Sequence, residues 1–578
     1  MANKWFKRSR AITVSALTLL LLFTLACGSA AAPGTTATDT SASTPSVSTA
    51  VPQAMAEAGE AMAEVNPGRL TWLMTGFGNE RFDPAYSSSS SHDYGRLIHA
   101  HLISSDVVGG RRVITPGILT DWELSSDGLT WTLTVRDGVK WHDGTDLTAE
   151  DVYWNLQRLL GPQADTFSQS SKSNAMSKVI DRIELTGPDR VSVTSQAPIP
   201  DFPINYSEAE SSWFGVILPK RATLHDVAEE EAYDRNPIGA GLMKLTEHIP
   251  VDSMTLERFD DYYDEDKRVN FKEMVLRLVP EEATRVAALR AGEADVGPVT
   301  LGARNQVEAG NGRLIFGQEG VLFFVRHKGC WNTQFPCSDI RVRQALAYAI
   351  DKNLMRDTLY GGPEVMQVKG FWAVTPSTIG YGPELDPYPF DPDKARQLLA
   401  EAGYKTPTNP EGKDFGKLVI NTWVSISMPV MPESAQLAAE FWKKELGIDV
   451  EVRVGDKVAL SDADRTTDDL HGQIVWGDDE ARLDGSSHLR GSYSNPERRN
   501  PAHRDPELFA LTQETLAVFD PVEQEKALNA TYRRLRDEAY YLSLGYINIP
   551  WGVGPRVLSW EPLPLALYPS GLHTITLK

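Results

Sequence analysis

The chain has little cysteine, a deficit of basic residues and no long apolar segment after its first 26 residues. It contains 3 cysteines in 578 residues, and 57 lysines and arginines against 78 aspartates and glutamates give a net charge of −21. So acidic a protein repels phosphate backbones, and nucleic-acid binding is not expected. No later segment is long and apolar enough to cross a bilayer. The length predicts two or three domains.

The common catalytic and metal-binding motifs are also missing. The sequence has no G-x-S-x-G nucleophile motif and no H-E-x-x-H metal motif. The segment from Gly412 to Lys417 has three residues between its glycines, where a phosphate-binding loop needs four. His99 and His101 are two residues apart, so on a helix they would point in different directions. We therefore expect no enzymatic activity, no metal site and no cofactor.

The N-terminus has the pattern of an export signal. Four basic residues precede an apolar run from Ala11 to Ala26, which predicts a signal peptide over residues 1–26. The following Cys27 resembles the lipidated cysteine of bacterial lipoproteins, although Thr24 stands where such signals prefer leucine. An ordinary cleaved signal peptide with a coincidental cysteine is the alternative. Residues 27–68 are rich in Ala, Ser, Thr and Pro and predict a disordered tether.

The remaining cysteines, Cys330 and Cys337, lie within one predicted loop with six residues between them. In an exported protein a local disulfide closing this loop is the favoured interpretation. Two free, buried thiols are the alternative. A metal site would need more ligands than this pair offers.

The most regular local pattern lies between Ser126 and Val152. Apolar and polar residues alternate from Leu129 to Arg136, which predicts a half-buried strand. Three Asp-Gly pairs predict turns before and after this strand. Thr148 is predicted to cap a helix whose first turn contains two acidic residues.

This block also identifies a family. It resembles the conserved block of the extracellular solute-binding proteins that serve peptide-type (oligopeptide, dipeptide and nickel) ABC importers. Residues 236–245, 338–350 and 391–404 resemble further segments of the same family. The likeness covers about residues 69 to 550. In residues 338–350 Ser338 is predicted to cap a helix, and Asp391 with Pro392 is predicted to start another.

The expected fold class is α/β. Strand-like segments at Leu418–Val424 and Ile448–Arg453 flank a helix-like segment at Glu433–Glu445, an order that favours parallel strands. The resemblance implies a two-lobed, type II periplasmic-binding-protein-like fold with an additional subdomain inserted in lobe one. We expect segments near 316 and 550 to cross between the lobes and act as a hinge. The predicted divisions after the tether are lobe one at 69–105, the inserted subdomain at 106–229, lobe one again at 230–315, lobe two at 316–550, and a return to lobe one at 551–578.

The resemblance also implies a binding site. Family members hold an extended peptide between the lobes, and an acidic residue in a W-x-x-D segment of lobe two pairs with its α-ammonium group. Here the matching segment is Trp476-Gly477-Asp478-Asp479, and we place Asp478 ahead of Asp479 as the counter-ion. An exposed acidic loop is the alternative. Secondary candidates for lining the cleft are Trp423, Trp372 and Tyr381. The Gly- and Pro-rich loop around the last two favours exposure.

The expected function follows from these features. We expect an extracytoplasmic, lipid-anchored substrate-binding protein, a monomer in the periplasm or on the outer face of the bacterial membrane. It would capture peptides or peptide-like solutes and deliver them to a membrane permease with a separate ATPase. One alternative is a non-peptide solute such as an oligosaccharide, an opine or a metal chelate. Another is a peptide-sensing or chaperone-like lipoprotein that has no transporter.

Overall fold

One large sheet runs through most of the chain. The computed structural model describes residues 68–578 except 89–90, 162–176, 210–214, 223–226, 373, 426–427, 429, 458, 461–462, 464–467 and 494–503. The predicted signal peptide, Cys27 and nearly all of the predicted tether lie outside these residues. Among the described residues, no helix combines the length and the apolar character needed to span a bilayer.

The elements of the described residues are as follows. The strands are β1 Arg69–Met74, β2 Ile103–Val108, β3 Arg111–Pro116, β4 Leu119–Leu124, β5 Thr130–Val135, β6 Ile180–Leu185, β7 Arg190–Ser195, β8 Met243–Ile249, β9 Ser253–Arg258, β10 Glu273–Leu278, β11 Val296–Pro298, β12 Arg313–His327, β13 Met366–Gln367, β14 Lys417–Thr422, β15 Asp449–Val454, β16 Ile474–Glu480, β17 Tyr541–Leu542, β18 Tyr546–Val553, β19 Val557–Ser559 and β20 Thr576–Leu577. The helices are α1 His92–Ile98, α2 Ala149–Leu160, α3 Phe202–Asn205, α4 Val227–Arg235, α5 Glu282–Ala291, α6 Arg304–Glu308, α7 Ile340–Tyr348, α8 Lys352–Leu359, α9 Pro392–Glu401, α10 Met431–Leu446, α11 Gly485–Tyr493, α12 Pro506–Ala517 and α13 Pro521–Asp537.

Two strands connect the two halves of the large sheet. Its main path has the order β15-β14-β16-β12-β18-β11-β1-β10-β9-β8. The first part of β12, Arg313–Gly317, pairs with the end of β18, and its last part, Val321–His327, pairs with β16. We call the half with β1 and β8–β11 lobe one, and the half with β13–β17 lobe two. The structure thus confirms the predicted two-lobed α/β fold.

The pairing changes register where β12 passes between the lobes. The shift falls between Gly317 and Val321, opposite Ile547 to Ile549 of β18. A break in the ladder at this point gives β12 and β18 a place to bend. Strand β12, from Arg313 to His327, includes the position near 316 at which the sequence predicts a crossing between the lobes.

A separate four-stranded sheet has the order β4-β5-β7-β6 and a hydrophobic core of its own with α2. It lies inside the range 106–229 predicted for the inserted subdomain, whose boundaries remain a prediction. Residues of β5 alternate between buried and half-buried, as the sequence pattern predicts. Thr148 is the N-cap residue of α2, and its backbone amide donates to Oδ2 of Asp151 at 3.0 Å. Both features confirm predictions from local sequence.

Local capping decides where the lobe-two helices begin. Asp391 caps α9 by accepting from the amide of Lys394 at 2.9 Å, with Pro392 as the first helical residue, as predicted. The predicted cap at Ser338 is wrong. Asp339 caps α7 instead, accepting from the amide of Arg341 at 2.9 Å. Ser338 is already part of a short 3-10 turn, so it cannot provide the cap.

Lobe two contains the predicted strand-helix-strand unit. Strands β14 and β15 pair in parallel from Lys417 opposite Asp449 to Thr422 opposite Val454. Helix α10 connects them and packs its apolar side into the lobe-two core. In the same lobe Cys330 and Cys337 form a disulfide, with their Cα atoms 5.1 Å apart.

Candidate functional site

A cavity of about 870 Å³ lies where the two lobes meet. Its lobe-one wall includes Val299, which belongs to the same apolar core as Leu289 of α5. Its lobe-two wall includes Tyr360 and Met428, which belong to the core around α10. Residues from two separate hydrophobic cores therefore face one space. A molecule inside it would touch both lobes at once.

The connecting strand β18 also contributes to this cavity. Ile547 and Ile549 line it, and both lie beside the register shift in β12. An occupant would therefore contact the segment at which the lobes can bend relative to each other. Binding in the cavity would then depend on the angle between the lobes.

The lobes are in direct contact beside the cavity. Leu301, which follows β11, packs against the lobe-two core. Gly361 follows α8 with a positive φ of 73°. A Cβ atom at this position would overlap Cδ2 of Leu301, so a larger residue would require the end of the Leu301 side chain to move. Arg304 of lobe one forms an ion pair with Glu364 of lobe two at 2.6 Å. The described conformation is therefore closed at this edge.

A second arginine in the cavity wall, Arg285, is hydrogen-bonded to backbone carbonyls and, within the described part of the chain, not to a carboxylate. Arg285 of α5 is 7% exposed and donates to the carbonyls of Pro298, Val279 and Pro280 at 2.8, 2.8 and 2.6 Å. These bonds use Nε and Nη1. Burial lowers the pKa of the guanidinium, although Glu281 and Glu282 act in the opposite direction. None of the ion pairs among the described residues involves Arg285.

The predicted aromatic residue of the W-x-x-D segment lies in the interior of lobe two. Trp476 is fully buried, and its Nε1 donates to Oγ of Ser434 at 3.0 Å. Its ring lies edge-on to Trp442 of α10, with 6.4 Å between ring centroids. The next residue, Gly477, lies against the ring of Trp423, which would overlap a Cβ atom at that position. Trp423 is itself buried in the lobe-two core.

Asp478 is fully engaged by neighbours in its own lobe. Its Oδ1 accepts from Nε1 of Trp423 at 2.9 Å and lies 3.4 Å from Nζ of Lys457. Its Oδ2 accepts from Oγ of Ser425 at 2.7 Å. The side chain is 8% exposed. The contacts with Trp423 and Ser425 bind the loop after β14 to the end of β16, and the contact with Lys457 adds the segment after β15.

Asp479 lies in a different environment although it is the next residue. Its side chain is 33% exposed, and Oδ2 lies 3.8 Å from Nδ1 of His488. Desolvation raises the pKa of Asp479, while Arg482 and Arg326 act to lower it. Glu480 and Ala481, directly after it, line a small cavity of about 60 Å³ together with residues of α1.

The two secondary candidates of the Gly- and Pro-rich loop are not equally exposed. Trp372 is buried, and its ring stacks on Tyr541 with a centroid distance of 4.4 Å and an angle of 9°. The expected exposure is therefore wrong for Trp372, because the loop packs against α11 and β17. Tyr381 is half-buried, and its hydroxyl donates to Oδ1 of Asp386 at 2.8 Å.

The structure thus separates the predicted residues from the cavity. None of Trp476, Gly477, Asp478, Asp479, Trp423, Trp372 and Tyr381 is among the described residues that line the 870 Å³ space. Sequence reasoning missed the residues that do, among them Arg285, Arg304 and Gly361. The adjacent glycines at positions 361 and 362 were the available signal, since such a pair after a helix indicates a tight backbone turn.

Comparisons with known proteins agree with this architecture. The family described as "Bacterial extracellular solute-binding proteins, family 5 Middle" matches residues 113–495. Heme-binding protein A of Haemophilus influenzae is 24% identical over 387 residues, 61% of this chain and 66% of that protein. The dipeptide-binding protein of Escherichia coli is 25% identical over 377 residues, 59% of this chain and 66% of that protein. The chain thus spans slightly less than two thirds of these relatives.

A solved structure extends the likeness in fold to nearly the whole chain. The ABC transporter substrate-binding protein CtaP of Listeria monocytogenes superimposes with a TM-score of 0.73 at 23% identity, covering 89% of this chain and 99% of that one. At this identity the superposition shows the fold alone. The family match, by contrast, covers more than half of the chain. This protein belongs to family 5 of the bacterial extracellular solute-binding proteins.

Proposed function

We propose that this protein is the extracytoplasmic solute receptor of an ABC importer and captures a peptide or peptide-like solute between its lobes. The observation that carries the proposal is the cavity of about 870 Å³ lined by both lobes and by β18. Its volume lies within the range of about 300–1,000 Å³ that small-molecule sites occupy. The chain performs no chemistry on its ligand. It binds, closes and releases.

Hinge closure supplies the signal for delivery. A solute that contacts both walls stabilises the closed state by the difference between its affinities for the closed and the open protein. The bend would fall at Gly317–Val321 and at the facing part of β18. We propose that a membrane permease with a separate ATPase recognises the closed form.

Peptides are the proposed ligand class for two reasons. The resemblance over residues 69–550 is to peptide-type binding proteins, and one relative is named for dipeptides. The lining also combines apolar side chains with polar ones such as Thr300, Asn305 and Thr358. Such a mixture suits backbone amides carrying varied side chains. Because another relative is named for heme, heme is included among the ligands to test.

For the ammonium group of a ligand long enough to extend beyond the 870 Å³ cavity, which neither aspartate lines, we propose Asp479 rather than Asp478 as the counter-ion. The Asp478 carboxylate already accepts from Trp423 and Ser425 and lies beside Lys457. Binding an ammonium group there would require these contacts to break. Asp479 is more exposed and has a raised pKa, so a cation beside it would stabilise its ionised form. Such a charge-assisted hydrogen bond contributes about 1.5–3 kcal/mol.

We also propose that Cys27 is lipidated and that residues 27–68 tether the folded part to the membrane. Labelling cells with a palmitate analogue tests this proposal. The wild type should be labelled and Cys27→Ala should not. Equal labelling of both would contradict the lipid anchor. The folded part can bind solute in either case, so this test is independent of the ligand assignment.

The binding proposal is tested by thermal shift on the purified protein without residues 1–26, the predicted signal peptide. Separate pools of di- to pentapeptides, oligosaccharides, metal chelates and heme are compared at equal concentration. We expect the peptide pool to raise the melting temperature by several degrees, because ligand at 100 times its Kd adds about 2.7 kcal/mol of stability. Stabilisation by the oligosaccharide pool alone would contradict the peptide assignment.

A further inference from the structure

We infer that the solute in the interlobe cavity carries a carboxylate that Arg285 binds. This inference rests on the proposed function and adds the charge and the orientation of the ligand. For a peptide, it places the C-terminal carboxylate against α5 of lobe one.

The first observation is the way Arg285 is held. Its three hydrogen bonds go to backbone carbonyls of the segments before and beside α5, at Val279, Pro280 and Pro298. They fix the plane of the guanidinium through Nε and Nη1. Nη2 takes part in none of them. A guanidinium held in this way is prepared to donate to an anion without a large loss of side-chain entropy.

The second observation is the charge of the cavity wall. Of the twenty described residues that line it, three are charged: Arg285, Arg304 and Glu364. Arg304 and Glu364 neutralise each other in their ion pair. Arg285 therefore leaves the wall with one unit of positive charge, in a chain whose net charge is −21. A ligand group with one negative charge would neutralise the cavity wall.

The nearby carboxylates of Glu281 and Glu282 do not form an ion pair with Arg285. Glu282 Oε1 accepts from the backbone amide of Thr300 at 2.5 Å. Glu281 is the N-cap residue of α5 and is exposed. Neither residue is among those lining the cavity, and neither forms an ion pair with Arg285. Both reduce the field of the guanidinium at a distance, yet burial still lowers its pKa. A bound anion would reverse that destabilisation.

The other residues that line the cavity indicate which kind of group is attached to the carboxylate. Val299, Leu301 and Tyr360 line the same space, so the group attached to the carboxylate meets apolar surface. A carboxylate can accept the hydrogen bonds that Nη2 still has to donate, and its single charge matches the single excess charge of the wall. A short peptide with an apolar C-terminal side chain has this chemistry.

The test compares free-acid peptides with their C-terminal amides by calorimetric titration of the wild-type mature protein. One tripeptide pool is prepared in both forms, so the two differ only in the terminal charge. We expect the acids to bind at least tenfold more tightly. Equal affinity of acids and amides would overturn the inference and leave the peptide proposal standing. Binding of neither pool would overturn the peptide proposal, and the inference with it.

A variant then assigns the effect to a residue. Arg285→Gln should remove the preference for acids over amides, while Arg290→Gln, on an exposed part of α5, should retain it. A preference that persists in a folded Arg285→Gln protein would contradict the assignment. If this variant does not fold, the comparison of acids with amides on the wild type still decides the inference.

Discussion

Arg304 in lobe one and Glu364 in lobe two form an ion pair, with 2.6 Å between Nη2 and Oε2, and both residues line the interlobe cavity. The two side chains are 33% and 64% exposed, so water and salt screen their attraction. The pair exists only while the lobes are close together. Its contribution is therefore to the closed conformation rather than to the folding of either lobe.

Breaking this pair should weaken ligand binding slightly and in a salt-dependent way. An exposed pair contributes at most about 1 kcal/mol, so Arg304→Gln should lower peptide affinity by up to about fivefold. Calorimetry at 50 and 500 mM NaCl measures the effect, which should shrink at high salt. Arg182→Gln removes the exposed 2.9 Å pair with Glu184 on β6 and should leave affinity unchanged. An equal loss in both variants would contradict the interlobe role.

Gly361 should favour closure because the end of the Leu301 side chain occupies the space beside it. Gly361→Ala adds a Cβ atom that overlaps Cδ2 of Leu301, so closure should require the Leu301 side chain to rotate and should become less favourable. We expect a loss of peptide affinity of up to about tenfold by calorimetry, since one displaced side chain costs about 1 kcal/mol.

The neighbouring glycine provides a matched control. Gly362 also has a positive φ, 119°, but a Cβ atom there would meet nothing within 4 Å. Gly362→Ala therefore carries backbone strain without the steric overlap, and it should still close. Adding Leu301→Ala to Gly361→Ala should restore part of the affinity. Equal effects of the two alanines would show that strain alone is responsible.

The adjacent aspartates should respond differently to the same substitution. Asp478→Asn loses charge-assisted contacts inside lobe two, so it should lower the free energy of unfolding by about 1–3 kcal/mol. Asp479→Asn should leave stability within about 1 kcal/mol and reduce affinity for peptides with a free α-amino group about tenfold. Denaturant unfolding and calorimetry measure the two effects. Unchanged affinity in Asp479→Asn would remove this residue from the site.

Asp93 should make the protein less stable as the pH rises. Burial raises its pKa from 3.8 to about 7, with Glu480 also raising it and Arg96 opposing. Between these values the folded state binds a proton that the unfolded state has lost, so stability falls from about pH 4 to pH 7. Asp93→Asn should flatten this slope, raising the melting temperature at pH 8 by about 2 °C while changing it little at pH 4. An unchanged slope would contradict the raised pKa.

Local sequence chemistry was sufficient for much of the fold. The alternation from Leu129 to Val135 and the cap at Asp391 depend on neighbours within a few residues, and both predictions were correct. Local sequence does not decide between two adjacent residues that could each cap the same helix. Asp339 rather than Ser338 caps α7, because a preceding 3-10 turn already includes Ser338.

The candidate site could not be predicted in the same way. Trp476 is buried by α10 and Trp372 by β17, and nothing within their own loops indicates those contacts. Arg285 faces the cavity only because segments far apart in sequence enclose it. The difference between Asp478 and Asp479 likewise depends on Trp423 and Lys457, which come from other elements. Such information belongs to the tertiary structure.

The most direct test of solute binding between the lobes is native mass spectrometry of the solute that purifies with the protein. The wild type should carry a molecule with the mass of a short peptide. Thr300→Trp, which places an indole in the cavity wall, should carry none, while Thr120→Trp, on an exposed position of β4, should carry as much as the wild type. Equal occupancy of Thr300→Trp and the wild type would contradict binding between the lobes.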